Sequence, residues 1–599
     1  MKVYILFYAG LLHCFLLGLG RNLHAQQITF TDVAMFSGIE HHYTGNFLGG
    51  GVSFCDFNND GYTDINLSSG AGELIYVYEN QNGVFTNIVG QMGLSDTLQS
   101  ETILWADYDN DGDKDLLITN YLGSNRLYRQ SAPGEFTDVT ALAGISTNPY
   151  ATTAACWADY NNDGYLDLYI ATYSDESGVG LTPNLLYENQ GDGTFVEVGG
   201  SAGVADSIHH PLAAAFLDYN RDGWQDLYIA HDKKEGNVLY RNNGNGTFSD
   251  VSSSSGADLH FDCMGIAIGD YDNNGFPDIY VSNTDSGNGL LHNNGDGTFT
   301  EIADSLGIAV HRICWGVNFL DFDNDSDLDL YVSTSHGTPD NYNVLFENNG
   351  NGTFTRTSGN GLDTDTSHSY GNAIGDFNND GFCDIAVLNT SPTSLWQNSG
   401  NNNHWIKVFL QGTASNRDGV GCLIELFADS LHIFRTMECG ISYLSQNSFT
   451  VPIGVGERTQ IDSIVVHWLS GIRDVIRHIP VDQTITIVEG QVSSLDAAGR
   501  APTGFVLYPN YPNPFNPSTN IGFRIGGLLG GTAGLVELKI YDVFGREVRT
   551  LLKNHLIPGT YEVQWDGRDN FGAPVSSGVY FYQLKMNRDV QVRKLLLLR

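Results

Sequence analysis

Residues 107–115 read DYDNDGDKD. Five aspartates share nine positions with one glycine, a density of negative charge that needs a cation or open water to be tolerated. The run recurs as DFNNDGYTD (56–64), DYNNDGYLD (159–167), DYNRDGWQD (218–226), DYDNNGFPD (270–278), DFDNDSDLD (321–329) and DFNNDGFCD (376–384). First residues lie 51, 52, 59, 52, 51 and 55 apart. A repeat of about 50 residues points to a solenoid or propeller, and the fold follows from what surrounds each copy.

Ahead of each acidic run stands an apolar, small-residue strand such as MGIAIGDY (264–271); behind it comes a second strand such as DLYIA. A Gly-rich hairpin of the type NLLYENQGDGTF (184–195) supplies two more. Four short strands per unit and seven units predict an all-β chain beginning with a seven-bladed β-propeller. The outer-strand motif starts at Phe30, Phe85, Phe136, Phe195, Phe248, Phe299 and Phe354, whereas SLWQN (394–398) has no such strand after it. The strand at 27–33 is therefore expected to pair outside SLWQN, completing one blade from both ends of the repeat region.

The acidic run has the chemistry of a calcium loop. A hard cation of that size takes six to eight oxygens, and D-x-[DN]-x-[DN]-G-x-x-D offers them from positions 1, 3, 5 and 9 and the position 7 carbonyl, with glycine at the sharp turn. The expected ligands are Asp56, Asn58, Asp60 and Asp64; Asp107, Asp109, Asp111 and Asp115; Asp159, Asn161, Asp163 and Asp167; Asp218, Asn220, Asp222 and Asp226; Asp270, Asp272, Asn274 and Asp278; Asp321, Asp323, Asp325 and Asp329; and Asp376, Asn378, Asp380 and Asp384. That is about seven Ca2+ sites. EF-hands are excluded, because position 12 is Leu67 or Ile118 rather than Glu and strands flank the loop. Magnesium prefers fewer protein oxygens. Ser326 replaces the glycine of the sixth loop, a strain of about 1 kcal/mol in a left-handed turn.

All acidic loops leave the innermost strands on one face of the disc. The opposite face collects His42, His210, His260, His311 and His368, a candidate ligand face at the channel mouth, together with the long loops 173–184 and 333–343.

The repeats resemble FG-GAP/VCBS repeats, as in the integrin α-subunit head, through GNAIGDFNNDG (371–381) and MGIAIGDYDNNG (264–275). The resemblance spans about residues 28–400 and implies calcium between the first two strands of a blade. Residues 401–491 form a small β domain. Asn416-Arg417-Asp418-Gly419-Val420-Gly421 and Trp468-Leu469-Ser470-Gly471 make it similar to the ASPIC/UnbV domain of cartilage-acidic-protein-like chains. Within it, a hairpin centred on Ser430-Leu431 would bring Cys422 opposite Cys439, a possible disulfide.

Residues 492–504 read as a linker, and 505–599 as an Ig-like β-sandwich. YPNPFNPST, SGVYFY and the basic tail of this last part resemble the C-terminal sorting domain of the bacterial type IX secretion system. The resemblance implies that machinery as a partner and passage over the outer membrane.

Charge supports the division: from Ala501 onward 11 Lys/Arg face 7 Asp/Glu, while the whole chain of 599 residues carries −40. A chain so acidic is not expected to bind nucleic acid. Residues 1–25 read as a signal peptide, with Lys2 before the apolar stretch Tyr4–Leu19, and no later stretch is long enough to span a membrane. The expected location is secreted or on the outer cell surface. Beyond Cys14, seven cysteines remain, an odd number that argues against a disulfide scaffold.

No H-E-x-x-H, G-x-S-x-G or phosphate-cradling loop occurs. The expectation is a non-enzymatic module for adhesion or for binding an extracellular glycan or surface protein. The competing class is a glycan-acting enzyme using His and Tyr at the channel mouth.

Overall fold

The computed structural model describes residues 28–132, 134–173, 182–206, 209–335, 342–390, 392–491, 493–496, 505–511, 515, 517–525, 534–556, 559–586 and 589–598. The signal-peptide reading of 1–25 and most of the long loops 173–184 and 333–343 lie outside these. Residues up to Ser494 form one compact unit and Leu495–Arg599 a second.

Among the described residues of the first unit, seven antiparallel four-stranded sheets share one plan. Blade 1 runs Val52–Cys55, Asp64–Leu67, Tyr76–Asn80, Phe85–Asn87, and the next five follow in chain order. In the seventh, Ser369–Gly375, Asp384–Asn389 and Ser394–Asn398 are completed by Phe30–Asp32, with Phe30 opposite Asn398 and Asp32 opposite Trp396. The strand from the far end of the repeat region thus sits where the repeat order requires. Each innermost strand neighbours the next, and that of blade 7 neighbours that of blade 1, so the ring closes. Aromatic residues fill the gaps between blades: Phe57 stacks on Trp105, and Tyr108 on Trp157.

The small β domain packs two sheets over Ile406, Val408, Ile424, Leu426, Ile453, Ile464 and Trp468. One sheet orders Thr450–Gly456, His404–Gln411 and Gln483–Val488, the last pair parallel. In the other, Leu423–Ala428 pairs with Leu431–Thr436 in a register that sets Ala428 opposite Leu431 and Leu423 opposite Thr436. The turn is therefore Asp429-Ser430, with Asp429 left-handed at φ 53°. This corrects the hairpin centre expected above. Cys422 bonds across to Met437 through backbone, while Cys439 has left the sheet to face Trp157. Both thiols are free and buried, so there is no disulfide between them.

Cys439 begins a finger. Residues 439–448 leave the β domain, run down the propeller axis, turn at Ser442–Leu444 with positive φ, and return. The innermost strand of every blade has one edge facing the axis, where nothing else in its own sheet can take its hydrogen bonds. Finger atoms take them. Gln446 N donates to Val52 O and Gln446 O accepts from Phe54 N–H; the Ser445 Oγ accepts from Val52 N–H. The Gln446 amide pairs both backbone groups of Trp105, at 2.8 and 3.0 Å. Cys439 O accepts from Trp157, Ser442 pairs with Ile266 in both directions, Ser442 Oγ accepts from Val317 N–H, and Asn447 Oδ1 from Ile374 N–H. Six blades are tied to one segment. Gly51 makes room for it: a Cβ there would lie 1.6 Å from Leu444 O.

The second unit is a β-sandwich. Phe505–Tyr511, Thr519–Ile525 and Gly559–Trp565 form one sheet; Glu547–Leu556, Gly534–Asp542, Gly578–Met586 and Asp589–Leu597 the other. Phe523, Val536, Ile540, Trp565, Tyr582 and Leu595 pack between them.

Candidate metal centres

Each acidic loop folds the same way. The position 1 carboxylate accepts the position 6 N–H in all seven copies, from Gly61 to Asp56 at 2.8 Å through Ser326 to Asp321 at 3.1 Å to Gly381 on Asp376 at 2.8 Å. The position 5 oxygen accepts the position 7 N–H in all seven. The position 9 aspartates are buried in every copy. Each accepts the backbone N–H of a residue at the end of the third strand, as Asn80 to Asp64 at 2.8 Å, or in blade 2 of Gln130 within it. Ser326 takes φ 93° as the glycines do, and its carbonyl is held by Arg435 at 3.1 Å.

This wrapping leaves oxygens of different positions close together. Ligand atoms of Asp107, Asp109 and Asp115 lie within 4.8 Å of one another, as do those of Asp321, Asp323 and Asp325. Asp107 Oδ1, Asp115 Oδ2 and Asp321 Oδ1 are buried and accept no hydrogen bond. Burial pushes the carboxyls of Asp64 and Asp226 up to about 8 and that of Asp159 to about 7. Buried carboxylates with spare lone pairs, set by backbone bonds and repelling one another, fit a hard divalent cation.

The residue directly after the third strand's inner tyrosine or its equivalent, such as Glu79, Arg129, Glu188, His292 and Glu347, sets the charge beside five of the loops. Glu79 approaches Asn58, Glu188 accepts from Tyr160, and Glu347 adds negative charge beside Asp323 and Asp325. The second loop has Arg129 instead, whose positive charge favours the ionised Asp109 carboxylate. In the fifth, where Asn274 lacks a charge, His292 stands 3.3 Å from Asp278 Oδ1.

Two recurring asparagines escaped the sequence reading. The one at position 4 adopts φ 55–60° in six loops and, in those, its Nδ2 reaches the next blade's loop, as from Asn110 to Gly164 O at 2.9 Å. The asparagine ending the third strand reaches back, as from Asn189 Nδ2 to Tyr108 O at 2.8 Å; it does so at six blade junctions, and Gln130 takes its place at the remaining one. Both recur at fixed offsets from the acidic run, which is the signal that identifies them.

The loop face is covered. Lys407 Nζ lies 2.6 Å from Asp376 Oδ2 and 2.8 Å from Asn379 Oδ1. Asp418, from the NRDGVG motif, pairs with buried Lys114 of the second loop and accepts Asp107 N–H. Gly454 N–H donates to Asp321, and Trp405 lies where a Cβ on Gly381 would project. A cavity of about 150 Å3 remains beside the finger, lined by Asp270, Asn318, Asp321, Arg435, Ile441 and Ser448 among others.

On the opposite face, four of the five histidines have partners, each on a separate loop. His210 Nδ1 is 2.7 Å from Glu235, His260 Nδ1 3.3 Å from Lys234 O, His311 Nε2 3.4 Å from Asp304, and His368 Nε2 2.9 Å from Ser335 Oγ; His42 is exposed. The axis beside them holds Tyr443, fully buried, whose hydroxyl donates to Leu48 O at 2.6 Å and whose ring lies 4.9 Å from that of Trp315.

Comparison with known proteins agrees with this layout. The FG-GAP-like repeat family matches residues 56–118, 107–170, 218–281 and 270–332; ASPIC and UnbV matches 412–494; the FlgD Ig-like domain matches 519–589. Cartilage acidic protein 1 of Mus musculus is 24% identical over 381 residues, covering 59% of this chain and 56% of the relative. The Homo sapiens protein is 24% identical over 384 residues (59% and 55%), and that of Xenopus tropicalis 28% over 267 (39% and 39%). The chain thus spans little more than half the length of the first two relatives and about two fifths of the third. A solved structure of PorZ, an essential bacterial surface component of the type-IX secretion system of Porphyromonas gingivalis, covers 90% of this chain and 74% of its own at 14% identity and a TM-score of 0.25, too low to carry a role. FG-GAP-like repeats, an ASPIC and UnbV domain and an FlgD Ig-like domain follow one another in this chain, which is similar to cartilage acidic protein 1.

Proposed function

We propose that the chain is an exported, calcium-loaded binding protein whose propeller presents a recognition surface to an extracellular glycan or surface protein. The observation that supports this is the sevenfold loop with its buried position 9 aspartates, together with the closely set carboxylates of the second and sixth copies, three of whose oxygens lack any hydrogen-bond partner. Recognition falls to the face opposite the loops, since the β domain occupies the loop face. Binding rather than turnover is favoured because the finger fills the axis that a channel-mouth enzyme needs. Export through the type IX route, with the C-terminal sandwich as the sorting element, rests on YPNPFNPST and SGVYFY within or beside the Ig-like domain. Among the described residues no helix is long and apolar enough to cross a membrane.

Calorimetry tests the metal. Binding to the folded state alone adds about 2.7 kcal/mol per site at a hundredfold excess over Kd. The melting midpoint is expected to rise by many degrees between excess EGTA and millimolar Ca2+, and equal midpoints refute the reading. Glycan-array binding without product formation tests the recognition role.

A further inference from the structure

We propose that Asp206, His209 and His231 form a second kind of metal site, for a transition-metal dication of the zinc type, on the face away from the acidic loops. Their ligand atoms lie within 4.8 Å of one another. His231 ends the second strand of blade 4, Asp226–His231, and is fully buried. Asp206 and His209 lie on the connection entering that blade.

The repeat supplies its own control. In blade 2 the equivalent positions are Asn120 and Asp96, and Asn120 Nδ2 donates to Asp96 Oδ2 at 2.6 Å. Blade 4 keeps the aspartate but replaces the donor by histidine, and the bond is lost. His231 Nδ1 faces Gly236 O at 2.7 Å. A carbonyl only accepts, so Nδ1 carries the proton, and Nε2 of the neutral ring presents a lone pair. That Nε2 has no hydrogen-bond partner and faces Asp206 Oδ2 at 3.5 Å. Lone pair against carboxylate, in a buried place, is repulsive unless a cation lies between them. An imidazole fixed by a carbonyl on its other nitrogen is the usual second shell of a histidine–metal bond.

The third member completes the set. His209 Nδ1 lies 2.6 Å from the same Asp206 oxygen, and its ring is 4.9 Å from that of His231 at 34°. The flanks are held: Asp206 O accepts from Asn184 N–H and Asp206 N–H donates to Val204 O, while His210 is bonded twice to Glu235. His209 is about a third exposed, which gives an entry path and room for water as the remaining ligand. Two imidazole nitrogens and one carboxylate favour zinc, nickel or copper over calcium.

The test uses the full chain, stripped of transition metals and held in saturating Ca2+ so that the acidic loops are blocked. Zn2+ is titrated by calorimetry and Co2+ by its visible absorption. One tight equivalent is expected. His231→Asn installs the blade 2 residue and restores its bond to Asp206, so it should fold, melt as the parent does, and lose at least a hundredfold in Zn2+ affinity. His209→Gln, at a partly exposed position, should do likewise and decides the matter if the first variant does not fold. No stoichiometric uptake by the parent, or equal uptake by the variants, overturns the site. The competing arrangement, a doubly protonated His231 paired with Asp206, takes up no metal and gives that same negative result.

Discussion

Gln446→Ala isolates what the finger does. The Gln446 side chain is fully buried and makes two hydrogen bonds, accepting from Trp105 N–H at 2.8 Å and donating to Trp105 O at 3.0 Å. Trp105 lies on the axis-facing edge of blade 2 and is itself fully buried. Truncation therefore orphans one buried N–H and leaves the C=O with only the weak Cys439 Sγ–H donor at 3.5 Å. An orphaned buried group costs about 1–3 kcal/mol, the weakened carbonyl adds to this, and a water entering the space recovers part of it, so the net loss is about 1–4 kcal/mol. The backbone bonds of residue 446 to Val52 and Phe54 remain, so the finger stays seated. The assay is urea unfolding in saturating Ca2+, followed by tryptophan fluorescence, with hydrogen exchange read at the Trp105 amide. Exchange there should accelerate by two orders of magnitude or more relative to the amide of Trp157, which the finger holds through a backbone carbonyl. A stability change below about 0.5 kcal/mol with unaltered Trp105 protection refutes the reasoning.

Lys114→Met leaves Asp418 buried without its partner and should destabilise by about 3–5 kcal/mol; adding Asp418→Leu should recover part of that, as measured in a double-mutant cycle. Glu347→Gln removes charge beside Asp323 and Asp325 and should weaken one calcium step several-fold in a calorimetric titration, leaving the others unchanged. In EGTA, burial raises the folded-state pKa of Asp64 and Asp226 from the ordinary carboxylate range to about 8. Their neutral forms favour the fold at low pH, and this stability is lost as pH rises from about 4 through 8. With saturating Ca2+, protons compete with the metal, and melting points should instead rise with pH over the lower part of that window.

The ring was legible in the sequence because its chemistry is local and repeated. Positions 1, 3, 5, 6 and 9 of each loop answer to one turn, and the unpaired ends at Phe30 and Asn398 predicted their own union. The finger was not legible: GISYLSQNS contains no period, and its partners are scattered over six blades, among them Ile374, 73 residues before Asn447, and Trp105, 341 before Gln446. Cys422 and Cys439 were misplaced by one residue of turn register, because left-handed Asp429 enters the turn that Ser430-Leu431 was expected to make. His231 and Asp206 sit 25 positions apart on elements that only the blade brings together. The comparison with Asn120 and Asp96 gains meaning once the strand ends are aligned.

The closing strand sets a condition on how the chain is made. Phe30–Asp32 is made before every other strand of the ring, yet the strand it pairs with, Ser394–Asn398, lies more than 360 residues later. At about 5–20 residues per second that is a wait of about 20–80 s, with an unpaired sheet edge throughout. The axial segment arrives later still. The ring can mature only after some 450 residues are available together, which makes this a late, slow and aggregation-exposed folder.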